Sequence, residues 1–160
     1  MKTKFALAFV LAFVAGTAVA ADGSVTGHYR AEGHDAKLSF VRTAKGTSYS
    51  DLPTIVIALT EKDASDATEV DSDIAFSHKY GSAITMNVTR DLDGVYDIDK
   101  SALHHTGSDK AGGNVGGVLQ LKDVTVANGI ISGEVYTKPG AEVFGAALDI
   151  DLKFKAAMPK

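Results

Sequence analysis

A chain of 160 residues with a formal charge of −4, 16 glycines, three prolines and neither cysteine nor tryptophan has room for one domain of ordinary size. Without cysteine there are no disulfides, no thiolate nucleophile and no zinc–thiolate site, so burial alone must hold the fold. An acidic chain with dispersed lysines and arginines also lacks the basic footprint that draws phosphate backbones, which argues against nucleic acid as a partner.

Met1–Ala20 reads as a signal peptide. Lys2 and Lys4 precede the apolar run Phe5–Ala15, and Ala18-Val19-Ala20 supplies the small residues of a cleavage site. The run is too short for a membrane span, which takes about 20 residues. Cleavage between Ala20 and Ala21 removes two lysines and no acid, takes the net charge from −4 to −6, and leaves 21–160 as a single β domain. A short leader of this kind suits export by a Gram-negative bacterium, with a periplasmic or secreted product.

Beyond the leader, period-2 patterning dominates. Val25–Ala31 and Lys37–Arg42 are short, weakly alternating strands. Thr54–Thr60 is clearer, with Ile55, Ile57 and Leu59 on one side and Pro53 at its margin, where a missing N–H does not break a ladder. Val70–Gly81 favours one or two helical turns, with Ser72 at the N-cap, Asp73 in the first turn, Lys79 in the last and Gly81 beyond. The same stretch also alternates through Ile74, Phe76, His78 and Tyr80. Ser82–Thr89 sets Ile84, Met86 and Val88 against polar neighbours, and Leu92-Asp93-Gly94 turns it into Val95–Lys100. Ser101–Gly117, rich in glycine, reads as a flexible loop. Asn128-Gly129 suits a type I′ turn joining Val118–Ala127 to Ile130–Thr137. A two-residue loop pairs Ala127 with Ile130 and, carried along the ladder, Asp123 with Glu134 and Leu121 with Tyr136. In Leu148–Ala156, Leu148, Ile150, Leu152, Phe154 and Ala156 face one way, and Asp149, Asp151, Lys153 and Lys155 the other.

About eight short antiparallel strands with at most one short helix make an all-β domain. An antiparallel β-sandwich is expected, with a small eight-stranded barrel as the alternative. Uneven strand lengths and two long connections favour the sandwich. The aromatics left after the leader are too few for the two girdles of a transmembrane barrel, so no membrane span is expected.

Chemistry-bearing residues are few. His104 and His105, with Asp109 close behind, form the candidate metal set, since imidazole and carboxylate suit zinc, copper or nickel. Neighbours on a strand point to opposite faces, so both reach one ion only where the chain bends. His28, His34 and His78 are further imidazoles whose distance in space the sequence does not give. Asp63–Asp73 is rich in acids, and Asp91-x-Asp93-Gly94-x-x-Asp97-x-Asp99 follows part of a calcium-loop pattern. Lys100 stands where that pattern requires a bidentate glutamate, and hairpin geometry explains the same letters. The expected Asp123–Glu134 pair costs stability unless a cation offsets it, and Lys153 or Lys155 is the simplest source. Lys110–Gly117 lacks the residue order of a phosphate-cradling loop, and no nucleophile elbow, His-Glu-x-x-His or Ser-x-x-Lys motif occurs. Leu121 and Tyr136, as neighbours on one uncovered face, make a candidate ligand patch.

These features point first to an exported, non-catalytic binding or envelope-accessory domain. It would take a protein, a glycan or a small apolar ligand, with Leu121, Tyr136, His104 and His105 as contacts. The alternative is a small metal-dependent or hydrolytic periplasmic enzyme built on the His104/His105 loop, with a divalent metal as its cofactor. A catalytic site needs His104 or His105 within hydrogen-bond reach of a carboxylate or hydroxyl in a cleft, whereas a binding module needs only an open face. The leader carries the first test. N-terminal sequencing of the exported protein should begin at Ala21, and a retained Met1–Ala20 segment would refute the assignment.

Overall fold

Alternating burial builds two sheets. The computed structural model describes residues 23–160 apart from Tyr49, so Met1–Ala20 and the Ala20–Ala21 junction lie outside the described residues. The strands are β1 (Ser24–Ala31), β2 (His34–Ala36), β3 (Phe40–Gly46), β4 (Thr54–Thr60), β5 (Ala83–Arg90) and β6 (Tyr96–His105). They continue with β7 (Ser108–Asn114), β8 (Leu119–Ala127), β9 (Ile130–Thr137), β10 (Glu142–Val143) and β11 (Ala146–Ala157), and α1 (Asp73–Phe76) is the one helix among the described residues. One sheet runs β2-β1-β11-β9-β8 with β10 paired to β11, and the other runs β3-β4-β5-β6-β7. Both are antiparallel and neither closes into a barrel, so the architecture is the expected sandwich. No helix among the described residues is long and apolar enough to cross a membrane.

The main core lies between the sheets. From the first, Leu148, Ile150, Leu152 and Phe154 of β11 are buried beside Tyr29, Ile131 and Val135 of its two neighbours, while the β11 residues between them are exposed. From the second, Ile57, Leu59, Ile84, Met86, Val88 and Leu103 are shut off from solvent. Each such side chain contributes roughly 1.5–3 kcal/mol of burial, which lets a chain without disulfides hold together.

The second sheet is buried on its other face too. Every residue of β4 is buried. Val56, Ala58, Ala83 and Ala102 look away from the main core into a second cluster with Ala64, Val70, Ile74, Ala75 and Tyr80, supplied by the β4–β5 connection, residues 61–82. That connection is tied at its neck. The Glu61 N–H donates to the Ser82 carbonyl at 2.9 Å, the Lys62 N–H to the Tyr80 carbonyl at 3.0 Å, and the Ser82 N–H to the Glu61 carboxylate at 2.8 Å. Arg42 of β3 donates to the carbonyls of Ala64 and Ala67 and pins the middle. Ser72 stands before α1 as expected but makes no side-chain cap, and the Asp71 carboxylate accepts the Asp73 N–H at 2.9 Å instead. The acidic stretch serves the same purpose elsewhere, with Asp63 accepting from the Ser65 N–H at 2.8 Å and Asp66 paired to Lys79 at 2.6 Å.

Two expectations need correction. Ser101–Gly117 is not a loop, because β6 continues to His105, turns through Thr106-Gly107 and returns as β7, placing Leu103 opposite Gly113 and His104 opposite Gly112. Leu103 and Val115 are the large apolar residues there, twelve positions apart, so the alternation carries little hydrophobic contrast. The β8–β9 ladder starts as expected, with Ala127 opposite Ile130 and Val126 opposite Ile131. A bulge then follows at Asp123, which holds φ 54°. Beyond it the register slips by one, placing Lys122 opposite Glu134, Leu121 opposite Val135 and Gln120 opposite Tyr136. Leu121 therefore packs against the core while Tyr136 stays on the outer face, and the Asp123–Glu134 pair does not form.

Two glycines give contrasting tests. Gly129 sits at φ 73° in the β8–β9 turn with nothing within 4 Å of an added Cβ. Gly27 holds φ 119° inside β1, where a Cβ would fall 2.0 Å from the Asp151 carbonyl oxygen. Gly129→Val is expected to cost more than about 1 kcal/mol through backbone strain alone. Gly27→Ala should cost more than about 2 kcal/mol, because the partner strand must move. Urea denaturation checks both, and an unchanged midpoint for either contradicts the geometry.

Candidate functional site

A cleft of about 570 Å³ opens where α1 and the turn after it meet the ends of β6 and β7. Strand alternation sends His104 outward into this cleft, where its ring stacks on His78 with centroids 3.8 Å apart and planes 22° apart. His78 belongs to the covering connection and holds φ 56°, a left-handed conformation in the turn just past α1. Gly112 and Gly113 of β7 lie opposite and make a floor without side chains. A Cβ on Gly113 would come 2.9 Å from the Phe144 ring, and one on Gly112 would come 3.6 Å from His104 Nδ1. Asp109, exposed, is the carboxylate lining the cleft, and Phe76, 40 % exposed, completes the wall. Phe144, in the tight β10–β11 turn, is 65 % exposed beside the floor.

His105 faces the other way. Its ring is buried against the edge of Tyr29, with centroids 4.7 Å apart and planes at 89°. Its Nδ1 accepts the Gly107 N–H at 3.0 Å, which fixes the neutral tautomer with the proton on Nε2. That Nε2 and the Tyr29 hydroxyl are both buried without a hydrogen-bond partner among the described residues. Burial holds His105 below the ordinary histidine value, partly opposed by the nearby backbone of Tyr29 and His34. Burial likewise pushes the Tyr29 hydroxyl far above its usual range. Glu32, in the β1–β2 turn, ties this end of the sandwich together. Its carboxylate accepts from Ser108 Oγ at 2.7 Å and Lys110 Nζ at 3.3 Å, and these bonds lower its pKa.

His104 and His105 thus lie on opposite faces of one strand and do not converge on one point. Among the described residues, no group of three or more histidines or carboxylates is placed to hold a metal ion. His104 and Asp109 do share the cleft. His78, Phe76 and Phe144 come from segments that sequence spacing could not connect to them, and the alternation through Phe76 and His78 was their only trace. Leu121 and Tyr136 lie elsewhere. Tyr136 sits on the outer face of the first sheet with Lys122 Nζ 4.8 Å from its ring centroid. Lys122 pairs with the buried Glu134 carboxylate, and Lys153 approaches the same group at 4.0 Å. The Glu134 bond raises the Lys122 pKa.

Burial, and then the imidazoles of His78 and His105, hold His104 below the ordinary histidine value as well. With both folded pKa values depressed, the unfolded chain binds protons first as pH falls through about 6.5. Stability should therefore be flat above neutrality and decline from pH 6.5 towards 5, before carboxylate titration sets in. Urea midpoints across this range should show the slope, and His104→Gln with His105→Gln should flatten it. An unchanged slope in the double variant assigns the effect to other groups. Comparison with known proteins returns no matching family model, no similar curated protein and no similar solved structure.

Proposed function

We propose that the protein is an exported, non-catalytic binding domain that takes an uncharged sugar ring in the His104 cleft. The observation that carries this reading is the make-up of the cleft: the stacked His78–His104 pair and Phe76 stand beside a glycine floor, with the Asp109 carboxylate in the lining. A sugar ring offers apolar C–H faces to such rings and a girdle of hydroxyls to the carboxylate and the imidazole nitrogens, which both donate and accept. The free volume of about 570 Å³ falls within the usual range of small-molecule sites. The two cleft histidines are held against each other by stacking, an arrangement that presents ring surface and nitrogens to a bound ring. Export rests on the leader.

Two-dimensional amide NMR tests this, with short oligomers of glucose, galactose, mannose and N-acetylglucosamine as probes. At least one should shift the amides of Thr106, Asp109, Gly112 and Gly113 saturably, and His104→Ala should abolish the shifts while leaving the remaining spectrum intact. No saturable shift with any of the four, or shifts away from the cleft, would refute the reading.

A further inference from the structure

The opposite end of the sandwich breaks its own pattern. Inward-facing positions of the second sheet are apolar along most of their length, as in Ile57 and Ile55 on β4 or Met86 and Val88 on β5. At the mouth the same rows end in cations. Lys45 lies opposite Ile55, and Arg90 lies opposite Tyr96, continuing the row of Val88 and Ile98. Neither forms an ion pair with a carboxylate among the described residues; the Arg90 guanidinium lies over the Tyr96 ring, at 5.9 Å from its centroid, and beside Gly94 of the β5–β6 turn. The nearest acid in sequence, Asp91, is committed to the β5–β6 turn, where its carboxylate accepts the Val95 N–H at 2.7 Å. Between these cations lies an opening of about 380 Å³, walled mainly by apolar surface from Pro53, Ile55, Tyr96 and Met158. Met158 is held there from the first sheet by its backbone N–H on the Gly129 carbonyl at 2.8 Å.

We infer that this mouth is a second ligand site, which takes a free amphiphile with a carboxylate head and an alkyl chain. The chain enters between the sheets beside Ile55, Tyr96 and Met158, and the head stays at the rim between Lys45 and Arg90. Charge complementarity selects this occupant. Two unpaired cations at an apolar opening favour an anion, and their rim position lets them bind it without losing most of their own hydration. A neutral apolar guest would gain nothing from them, and a cationic amphiphile would be repelled.

Calorimetry with decanoate below its micelle concentration tests the site, with 1-decanol and decyltrimethylammonium as matched neutral and cationic probes. Both cations are exposed, so the Lys45→Gln, Arg90→Gln double variant should keep the fold. Decanoate should bind saturably, more tightly than decanol, and the double variant should lose about tenfold or more of that affinity, equivalent to roughly 1.4 kcal/mol, with decanol little changed. Raised salt should weaken decanoate in the same direction. NMR should place the response on the Met158 methyl and the Tyr96 ring. Absence of saturable binding, equal affinity for decyltrimethylammonium, unchanged affinity in the double variant, or shifts confined to the His104 cleft would each overturn the inference. So would preferential capture by anionic lipid vesicles over free decanoate.

Discussion

Everything at the candidate site depends on the β4–β5 connection folding back over the second sheet. Without it, Val56, Ala58, Ala83 and Ala102 would form a contiguous apolar patch in water. With it, the sheet is enclosed on both faces, and a chain lacking disulfides gains a second core. The closed neck between residues 61 and 82 limits the entropy lost in ordering a long excursion, because its ends already meet at the hairpin. Arg42 removes a second cost by satisfying the carbonyls of Ala64 and Ala67 beneath the cover. The same fold-back delivers His78 onto His104, so the cleft arises from a layer whose first task is burial.

Most of the sandwich was legible because half-buried antiparallel strands write their faces into the sequence. β11, β9 and the Asn128-Gly129 turn follow from alternation and from the one dipeptide best suited to two positive φ values. Thr54–Thr60 carried more information than alternation uses. Its unbroken run Ile55-Val56-Ile57-Ala58-Leu59 marks a strand covered on both sides, and the structure buries all of it. The bulge at Asp123 left no comparable mark. A single non-glycine residue in the left-handed region moved Leu121 inward and kept Tyr136 outside, while exchanging an acid–acid pair for Lys122 with Glu134. β7 was hidden by its glycines, and the His78–His104 stack joins residues from separate layers, which no local periodicity encodes.

The placement of both sites follows from what the faces already do. The outer surface of the first sheet is spent on its own polar contacts: the His28–Asp149 hydrogen bond, and the ion pairs of Arg30 with Asp35 and of Lys122 with Glu134, approached by Lys153. The exposed contacts of His28 and Arg30 add little stability, but together with the part-buried Lys122–Glu134 pair they keep that face hydrated and self-matched. The outer surface of the second sheet is largely roofed by residues 61–82. Apart from the cleft that Thr85, Asn87 and Lys100 border at the edge of this roof, what remains are the rims, where strands end and the alternation no longer has a partner sheet to satisfy. The two rims are chemically unlike. At one, Glu32 bonds Ser108 and the His105 ring packs on Tyr29 across the gap, and the open chemistry moves outward to His104, Asp109 and the glycine floor. At the other, Thr43 Oγ1 of β3 donates to the Ala157 carbonyl of β11 at 2.6 Å beside the mouth, and the inward rows end in Lys45 and Arg90 around an apolar opening. A rim filled by packed side chains suits a ligand held against the outside of a sheet, and a rim with an apolar opening suits one that enters between sheets. The difference between them traces to what ends the inward rows: His105 and Ser108, packed on Tyr29 and bonded to Glu32, at one end, and the cations Lys45 and Arg90 at the other.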